Sequence, residues 1–186
     1  MKQHILPAVK LTLLCVLVFC GAYSLLVLGI AQLAPNKGEG QTLSRNGKTI
    51  GYALEGQSFT ADQYFNGRPS AAGYNAAGSS GSNKGPSNPE YLKIVNDRID
   101  SFMVHNPGIA RKDIPADLVT ASGSGLDPDI SLQGALVQTN RIARIRNLPE
   151  EKITELILSN KERSPMNGIE KINVLKLNII LDELKK

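Results

Sequence analysis

Hydrophobic residues fall into one long apolar run near the start of the chain and into short, periodic groups after it. The run extends from Leu11 to Leu33 without a charged residue. As a helix its roughly 23 residues span about 35 Å, more than the bilayer's hydrocarbon core of about 30 Å. We therefore predict a short tail (residues 1–10), a transmembrane helix (11–33) and a linker (34–48). A cleaved signal peptide is the alternative, although its apolar region is usually only about 7–15 residues long.

The chain after the linker shows the periodicities of helices and a few strands. Alternation at Thr49–Leu54 predicts a strand, and Phe59–Phe65 resembles a short helix. A longer helix is predicted from residue 89 to about residue 105. Ser87 or Asn88 would cap its start, and proline is favoured at the first helical position.

The next part of the chain is predicted to be extended and then helical. Ile114–Ala121 looks extended, and Asp129 or Ser131 caps a helix that reaches about Asn147. On that helix an apolar stripe faces inward. Three basic residues point to another face: Arg141, Arg144 and Arg146.

Two further helices complete the pattern. Pro149 opens one, and Asn173 caps the last. Residues 49–186 are therefore predicted to form a single α+β domain, dominated by helices and containing a small sheet.

The segment Gly67–Pro89 consists almost entirely of Gly, Ser, Ala, Asn and Pro. Such a composition is typical of a flexible linker. Arg68 and Tyr74, however, are large side chains that can make specific contacts, and the segment runs directly into a well-capped helix at Asn88. We therefore predict an ordered loop, which packs either against its own domain or against a partner.

Charge and cysteine content exclude some classes of protein. Two of the 21 basic residues, Lys2 and Lys10, precede the apolar run, and the other 19 accompany 17 acidic residues after it. A nucleic-acid-binding protein would show a clustered basic face, so we predict no nucleic-acid partner. Cys15 and Cys20 both lie in the apolar run, so the domain can form no internal disulfide and no thiolate metal site.

Basic residues flank both ends of the apolar run, so the positive-inside rule hardly distinguishes the two orientations. A short tail before a single span is typical of a signal anchor, and long domains translocate largely regardless of charge. We therefore expect the N-terminus in the cytoplasm and the domain outside.

Familiar catalytic motifs are not found. Gly78–Gly85 is rich in glycine but lacks the Gly-Lys-Ser/Thr ending of a Walker A loop. No Gly stands two residues before Ser122 or Ser124, as a nucleophile elbow requires. A lone His105 at a helix end is expected to be a surface residue or a partner of the helix dipole.

Asp127 and Asp129 flank a proline and could form a carboxylate pair. Turn and helix-cap roles are the alternative, and we favour them. A serine hydrolase using Ser122 or Ser124 is a further hypothesis. The chain by itself is predicted not to be an enzyme and to hold no metal or cofactor.

Several blocks of sequence, spread over nearly the whole chain, form a recognisable series. They read FT at 59–60, YFNGRPSA at 64–71, SNKGPSNP at 82–89, IPADLVTASGSGLDP at 114–128, IS at 130–131, NVL at 173–175 and LN at 177–178. Together with the N-terminal span, they resemble the KdpC family, the C subunits of the Kdp potassium-transporting P-type ATPase. The chain departs from the family at Asp129, where His is usual, at Lys84, where a hydrophobic residue is usual, and in a shorter 161–170 segment.

The resemblance implies a non-catalytic subunit of a bacterial inner-membrane complex for high-affinity, ATP-driven potassium uptake. The implied partners are a channel-like potassium-translocating subunit, a P-type ATPase subunit, a small single-span subunit and membrane lipid. The family's proposed role is to act as a catalytic chaperone for ATP binding. Its soluble domain is placed in the periplasm, near the potassium entrance. We further expect the domain to stabilise the assembled complex and to shape ion entry. ATP, magnesium and potassium would be used by the complex. A generic membrane-anchored exocytoplasmic binding module is the alternative.

Six polar residues are the candidates for contacting another subunit or ordering the loop: Arg68, Ser82, Asn83, Ser87, Asn88 and Asp127. Arg68 could instead bridge a surface carboxylate, and Asn88 could simply cap its helix. Local structure explains Ser82 and Asn83 least well.

Overall fold

A computed structural model describes residues 2–45, 47–164 and 168–184. The chain divides into two compact units, Met1–Gln41 and Thr42–Lys186. The first unit is helical, with α1 (Lys2–Cys15), a π-helical segment (Val16–Ala22), α2 (Tyr23–Ala31) and a 3₁₀ turn (Pro35–Gly38). Gln3–Ala31 is long and apolar enough to cross a membrane, with a mean hydropathy of 2.6. This helix contains most of the span predicted at residues 11–33, but it begins within the predicted tail, at Lys2, and ends at Ala31.

The second unit mixes helices with two small antiparallel sheets. Its elements are β1 (Thr42–Arg45), β2 (Lys48–Tyr52), α3 (Pro89–His105), β3 (Asp129–Ser131), α4 (Leu132–Leu136), α5 (Thr139–Arg146), α6 (Glu150–Ser159), β4 (Glu162–Arg163), β5 (Glu170–Asn173) and α7 (Val174–Glu183). One sheet is the β1–β2 hairpin, and the other has the order β3-β5-β4. The predicted helix-dominated α+β class is confirmed.

Three helices begin at the capping residues that the sequence indicates. Asn88 accepts a hydrogen bond from the Tyr91 amide at 3.0 Å and starts α3. Ser131 accepts from the Gly134 amide at 2.9 Å, and Asn173 caps α7 in the same way. These caps depend only on residues within one turn of each other, which is why they could be predicted.

The predicted strand Thr49–Leu54 is close to β2, but its partner β1 was not predicted and lies in the stretch assigned to the linker. Thr42–Arg45 lacks alternating apolar residues, so its sequence gives little signal of a strand. Its position is set by tertiary contacts, including an ion pair of 2.7 Å between Arg45 and Asp182 of α7.

The predicted helix Phe59–Phe65 is wrong, because this segment forms only a turn followed by extended chain. Side chains from helices distant in sequence form hydrogen bonds with its backbone N–H and C=O groups instead. Asn178 bonds both the amide and the carbonyl of Phe65, at 2.8 and 3.0 Å, and Gln138 accepts from the Asn66 amide at 2.8 Å. Tertiary hydrogen bonds have replaced the local helical ones.

Two other predicted elements also differ from the structure. The segment Ile114–Ala121, which was predicted to be extended, contains a 3₁₀ turn at Ala116–Leu118. The helix expected to reach Asn147 is divided into α4 and α5, with a break around Gln138. The Gln138 side chain is fully buried there and donates back to the Gly134 carbonyl at 2.8 Å. Asn147 ends α5 in a left-handed conformation, with φ of 55°.

Arg141 was expected on the polar face of its helix, but it is buried, with 1% of its surface exposed. All five of its guanidinium N–H groups find acceptors. These are the backbone carbonyls of Asp62 and Tyr64 and the side-chain oxygens of Asn66, Asn106 (2.9 Å) and Gln138 (2.7 Å). Burial lowers the pKa of Arg141 to about 10, which the nearby Asp62 carboxylate partly opposes, so the group stays charged at neutral pH.

The hydrophobic core lies between the helices and the three-stranded sheet. Its most deeply buried side chains are Phe65, Ile130, Ile142, Ile153, Ile157, Ile172, Leu177 and Leu181. Phe65 comes from the irregular 59–66 segment, so the hydrogen bonds that hold this segment also complete the core.

Arg141→Met is expected to lower the free energy of unfolding by about 3–5 kcal/mol, because it leaves several buried acceptors without a donor. Urea-induced unfolding of the chain in detergent, followed by tyrosine fluorescence, measures this loss. Arg144→Met is the matched control, since Arg144 is exposed on the same helix and should change the value by less than about 0.5 kcal/mol. Equal stability of the two variants would contradict the structural role of Arg141.

Candidate functional site: the paired loops

The Gly/Ser-rich segment is divided between two environments. Residues 67–81, here called the docked segment, lie against residues 122–127, the receiving loop. Residues 82–87, the exposed segment, extend beyond that contact and lead into α3. The loop therefore packs, over its first part, against its own domain.

Direct hydrogen bonds join the docked segment to the receiving loop. The Ser122 amide donates to the Pro69 carbonyl at 3.0 Å, the Ser70 hydroxyl to the Gly125 carbonyl at 2.6 Å, and the Ser79 hydroxyl to the Ser124 carbonyl at 2.9 Å. Serines thus act here as donors to backbone carbonyls. Ser122 itself is buried, which is the opposite of the exposure that a hydrolase nucleophile needs.

Glycine is required where the two backbones come closest. A Cβ on Gly81 would lie 2.8 Å from the Gly123 carbonyl oxygen, and one on Gly125 would lie 2.7 Å from the Ser80 oxygen. Gly125 also has a φ of +70°, which side chains rarely adopt. The small residues therefore permit close backbone packing, in place of the flexibility that composition alone suggests.

Tyr74 orders the docked segment, although it was not among the six candidates. Its hydroxyl donates to the Arg68 carbonyl at 2.6 Å, and its amide donates to the Ser70 hydroxyl at 2.9 Å. Burial raises the pKa of Tyr74 above its ordinary value, against the opposing effect of the Arg98 charge. The signal in the sequence was the large aromatic residue among small ones, four positions after a serine.

The structure brings two of the six candidates together. Arg68 donates to Asp127 at 3.0 Å, and both side chains are about three-tenths exposed or less. Asp127 also accepts from the Asp129 amide at 3.0 Å, which is the turn role favoured over a carboxylate pair. The Asp129 carboxylate accepts from Lys171, and this hydrogen bond raises the pKa of Lys171.

The other four candidates are consecutive or nearly so, at the end of the loop. Asn88 caps α3, while Asn83 is exposed and has a left-handed φ of 51°. Within the described residues, the side chains of Ser82, Asn83 and Ser87 have no hydrogen-bond partner. Lys84 donates to Glu90 at 2.6 Å, which lowers the pKa of Glu90. In Ser82, Asn83 and Ser87, the exposed segment therefore presents polar side chains that the described part of its own domain does not use.

Gly125→Ala is expected to weaken the pairing of the two loops by about 2–4 kcal/mol, through backbone strain and overlap with Ser80. Gly73→Ala is the matched control, since Gly73 has a φ of +60° but a Cβ on it would meet no atom within 4 Å. It should show only the strain, about 1–2 kcal/mol. Amide hydrogen exchange across residues 67–81 measures the difference, and equal exchange in the two variants would exclude the close contact.

Comparison of the sequence with known proteins identifies a family for this chain. The family model described as "KdpC: K+-transporting ATPase, c chain" matches residues 5–183. A protein of Flavobacterium psychrophilum named "Potassium-transporting ATPase KdpC subunit" is 52% identical over 183 residues, which cover 98% of this chain and 100% of that protein.

Two other bacteria have similar proteins with the same name. The Bacteroides fragilis protein is 50% identical over 189 residues, covering 98% of both chains. That of Caldanaerobacter subterraneus is 40% identical over 190 residues, covering 100% of this chain and 98% of its own. The match extends from the membrane helix to α7, so the chain belongs to the KdpC family of potassium-transporting ATPase subunits.

Proposed function

We propose that this chain is a non-catalytic subunit that assembles and stabilises the potassium-transporting ATPase, using the exposed segment as a contact with another subunit. The observation that carries the proposal is the contrast within one loop. Residues 67–81 are bonded to their own domain, whereas Ser82, Asn83 and Ser87 are held between two ordered ends with their polar groups unused. A contact surface needs such groups held in place, because less ordering entropy is then lost on binding.

The partners in this proposal are those implied by the family. They are a channel-like potassium-translocating subunit, a P-type ATPase subunit and a small single-span subunit. The membrane helix adds a lipid-embedded surface, where Gly21 and Gly29 leave room for a neighbouring helix to approach.

The chain also supports ATP binding by the ATPase subunit, acting as a catalytic chaperone from a distance. ATP is bound in the cytoplasm, so a periplasmic domain near the potassium entrance cannot touch the nucleotide. Its influence is then a coupling free energy, transmitted through the assembled complex. Such couplings are typically about 1–3 kcal/mol, or roughly 5–150-fold in affinity.

Comparing Asn83→Ala with Asn83→Gly distinguishes the effect of losing the Asn83 side chain from the effect of straining the backbone of the exposed segment. Glycine keeps the left-handed conformation, whereas alanine strains it. If the Asn83 side chain contacts a partner, both variants should weaken assembly, by about tenfold for a loss of roughly 1.4 kcal/mol. The measurements are recovery of the other subunits on a tagged chain and potassium-stimulated ATP hydrolysis. Loss in Asn83→Ala alone would assign the effect to loop shape, and wild-type behaviour of both would reject the contact.

Sidedness follows from the proposed orientation. Trypsin added to sealed right-side-out vesicles should cleave the domain, with Lys112 as an accessible site that lies outside the proposed contact. Inverted vesicles should protect it until detergent opens them. Full protection in right-side-out vesicles would place the domain in the cytoplasm and overturn the proposed route of action.

A further inference from the structure

A cleft of about 340 Å³ lies between the 59–66 segment and helix α3. None of the six candidate contact residues lines it. Phe59, Phe102 and the buried Leu118 provide apolar lining, and Arg98 lies among the polar groups that share the cleft. Aromatic walls with a few convergent polar groups are typical of sites that receive a ligand or a partner side chain.

Of the charged groups that line this cleft, Asp62 has basic neighbours, whereas Arg98 has no acidic neighbour among the described residues. Asp62 accepts a hydrogen bond from His105 Nδ1 at 2.8 Å and lies 4.0 Å from Arg141 Nη1, so this carboxylate has two basic neighbours. Arg98 donates through Nη1 to the Val119 carbonyl at 3.1 Å. Across the part of the chain that the structure describes, no acidic side chain lies within ion-pair distance of Arg98.

The partly buried positive charge of Arg98 has no anionic partner among the described residues. The guanidinium has five donors in a planar fork, and only one donates to the domain among the described residues. The remaining donors match the two oxygens of a carboxylate, in the bidentate geometry that arginine favours. The apolar part of the lining lowers the local dielectric beside that ion pair and so strengthens it.

We infer that this cleft receives an acidic side chain, carried on an apolar stretch of another subunit of the ATPase. Charge complementarity decides the chemistry, because a neutral or basic side chain would leave Arg98 unmatched. The inference rests on the proposed function and adds a second contact to it, distinct from the exposed segment.

Chemical modification of arginine tests whether Arg98 is covered. Phenylglyoxal should modify Arg98 readily in the isolated full-length chain in detergent. In the purified complex the rate should fall by at least about tenfold, the change that 1.4 kcal/mol of pairing gives. Arg144 is the internal control, since it is exposed and should react at similar rates in both samples. Peptide mass spectrometry follows each site separately.

Charge variants test whether the covering group is acidic. Arg98→Glu should reduce recovery of the other subunits on the tagged chain by at least about tenfold, because like charges then face each other. Arg98→Gln should reduce it less, and Arg144→Glu should leave it unchanged. Arg98→Gln also keeps a side-chain donor for Val119, so it remains informative if the glutamate variant fails to fold.

Three results would overturn the inference. Arg98 could react equally in the free chain and in the complex, or Arg98→Glu could assemble as the wild type does. Butyrate could protect Arg98 in the isolated chain as fully as assembly does, which would assign the cleft to a small carboxylate. If the wild-type chain itself recovers no other subunit, the proposed function fails instead.

Discussion

The buried guanidinium of Arg141 is the interaction on which the rest of the domain depends. It donates hydrogen bonds to the backbone of the irregular 59–66 segment and to Asn106, which follows the last residue of α3. It also donates to Gln138, three residues earlier in the chain. A charge is tolerated in the core only when its donors are fully used, as they are here. The segment that it holds supplies Phe65 to the core and continues directly into the docked segment.

The docked segment illustrates how a sequence of small residues can be rigid. Serine hydroxyls reach backbone carbonyls of the receiving loop, and glycines allow the two backbones to meet at Gly81 and Gly125. The contact with the receiving loop ends at residue 82, beyond which the side chains of Ser82, Asn83 and Ser87 have no hydrogen-bond partner among the described residues. One loop thus serves both as part of the fold and as a proposed contact surface.

The parts of the structure that could be predicted from sequence depend on nearby residues. The caps at Asn88, Ser131 and Asn173 and the membrane helix follow from local patterns, and the resemblance to the KdpC family rests on contiguous blocks. The missing helix at 59–65 and the burial of Arg141 could not be predicted, because both depend on partners tens of residues away in sequence. For the candidate site, the order of the loop was predicted, but its division at residue 82 required the structure.

In the loop between residues 67 and 87, the first part is hydrogen-bonded to its own domain. The second part, residues 82–87, is proposed to contact another subunit. Amide hydrogen exchange of the chain, measured alone and in the assembled complex, tests this directly. The amides of Ala72, Tyr74, Asn75, Ala77 and Gly78 donate hydrogen bonds in the free chain and should be protected in both samples. The amides of residues 83–85 and of Ser87 should exchange rapidly alone and slowly in the complex. Rapid exchange of the whole loop in the free chain, or no change in residues 83–87 on assembly, would contradict the account.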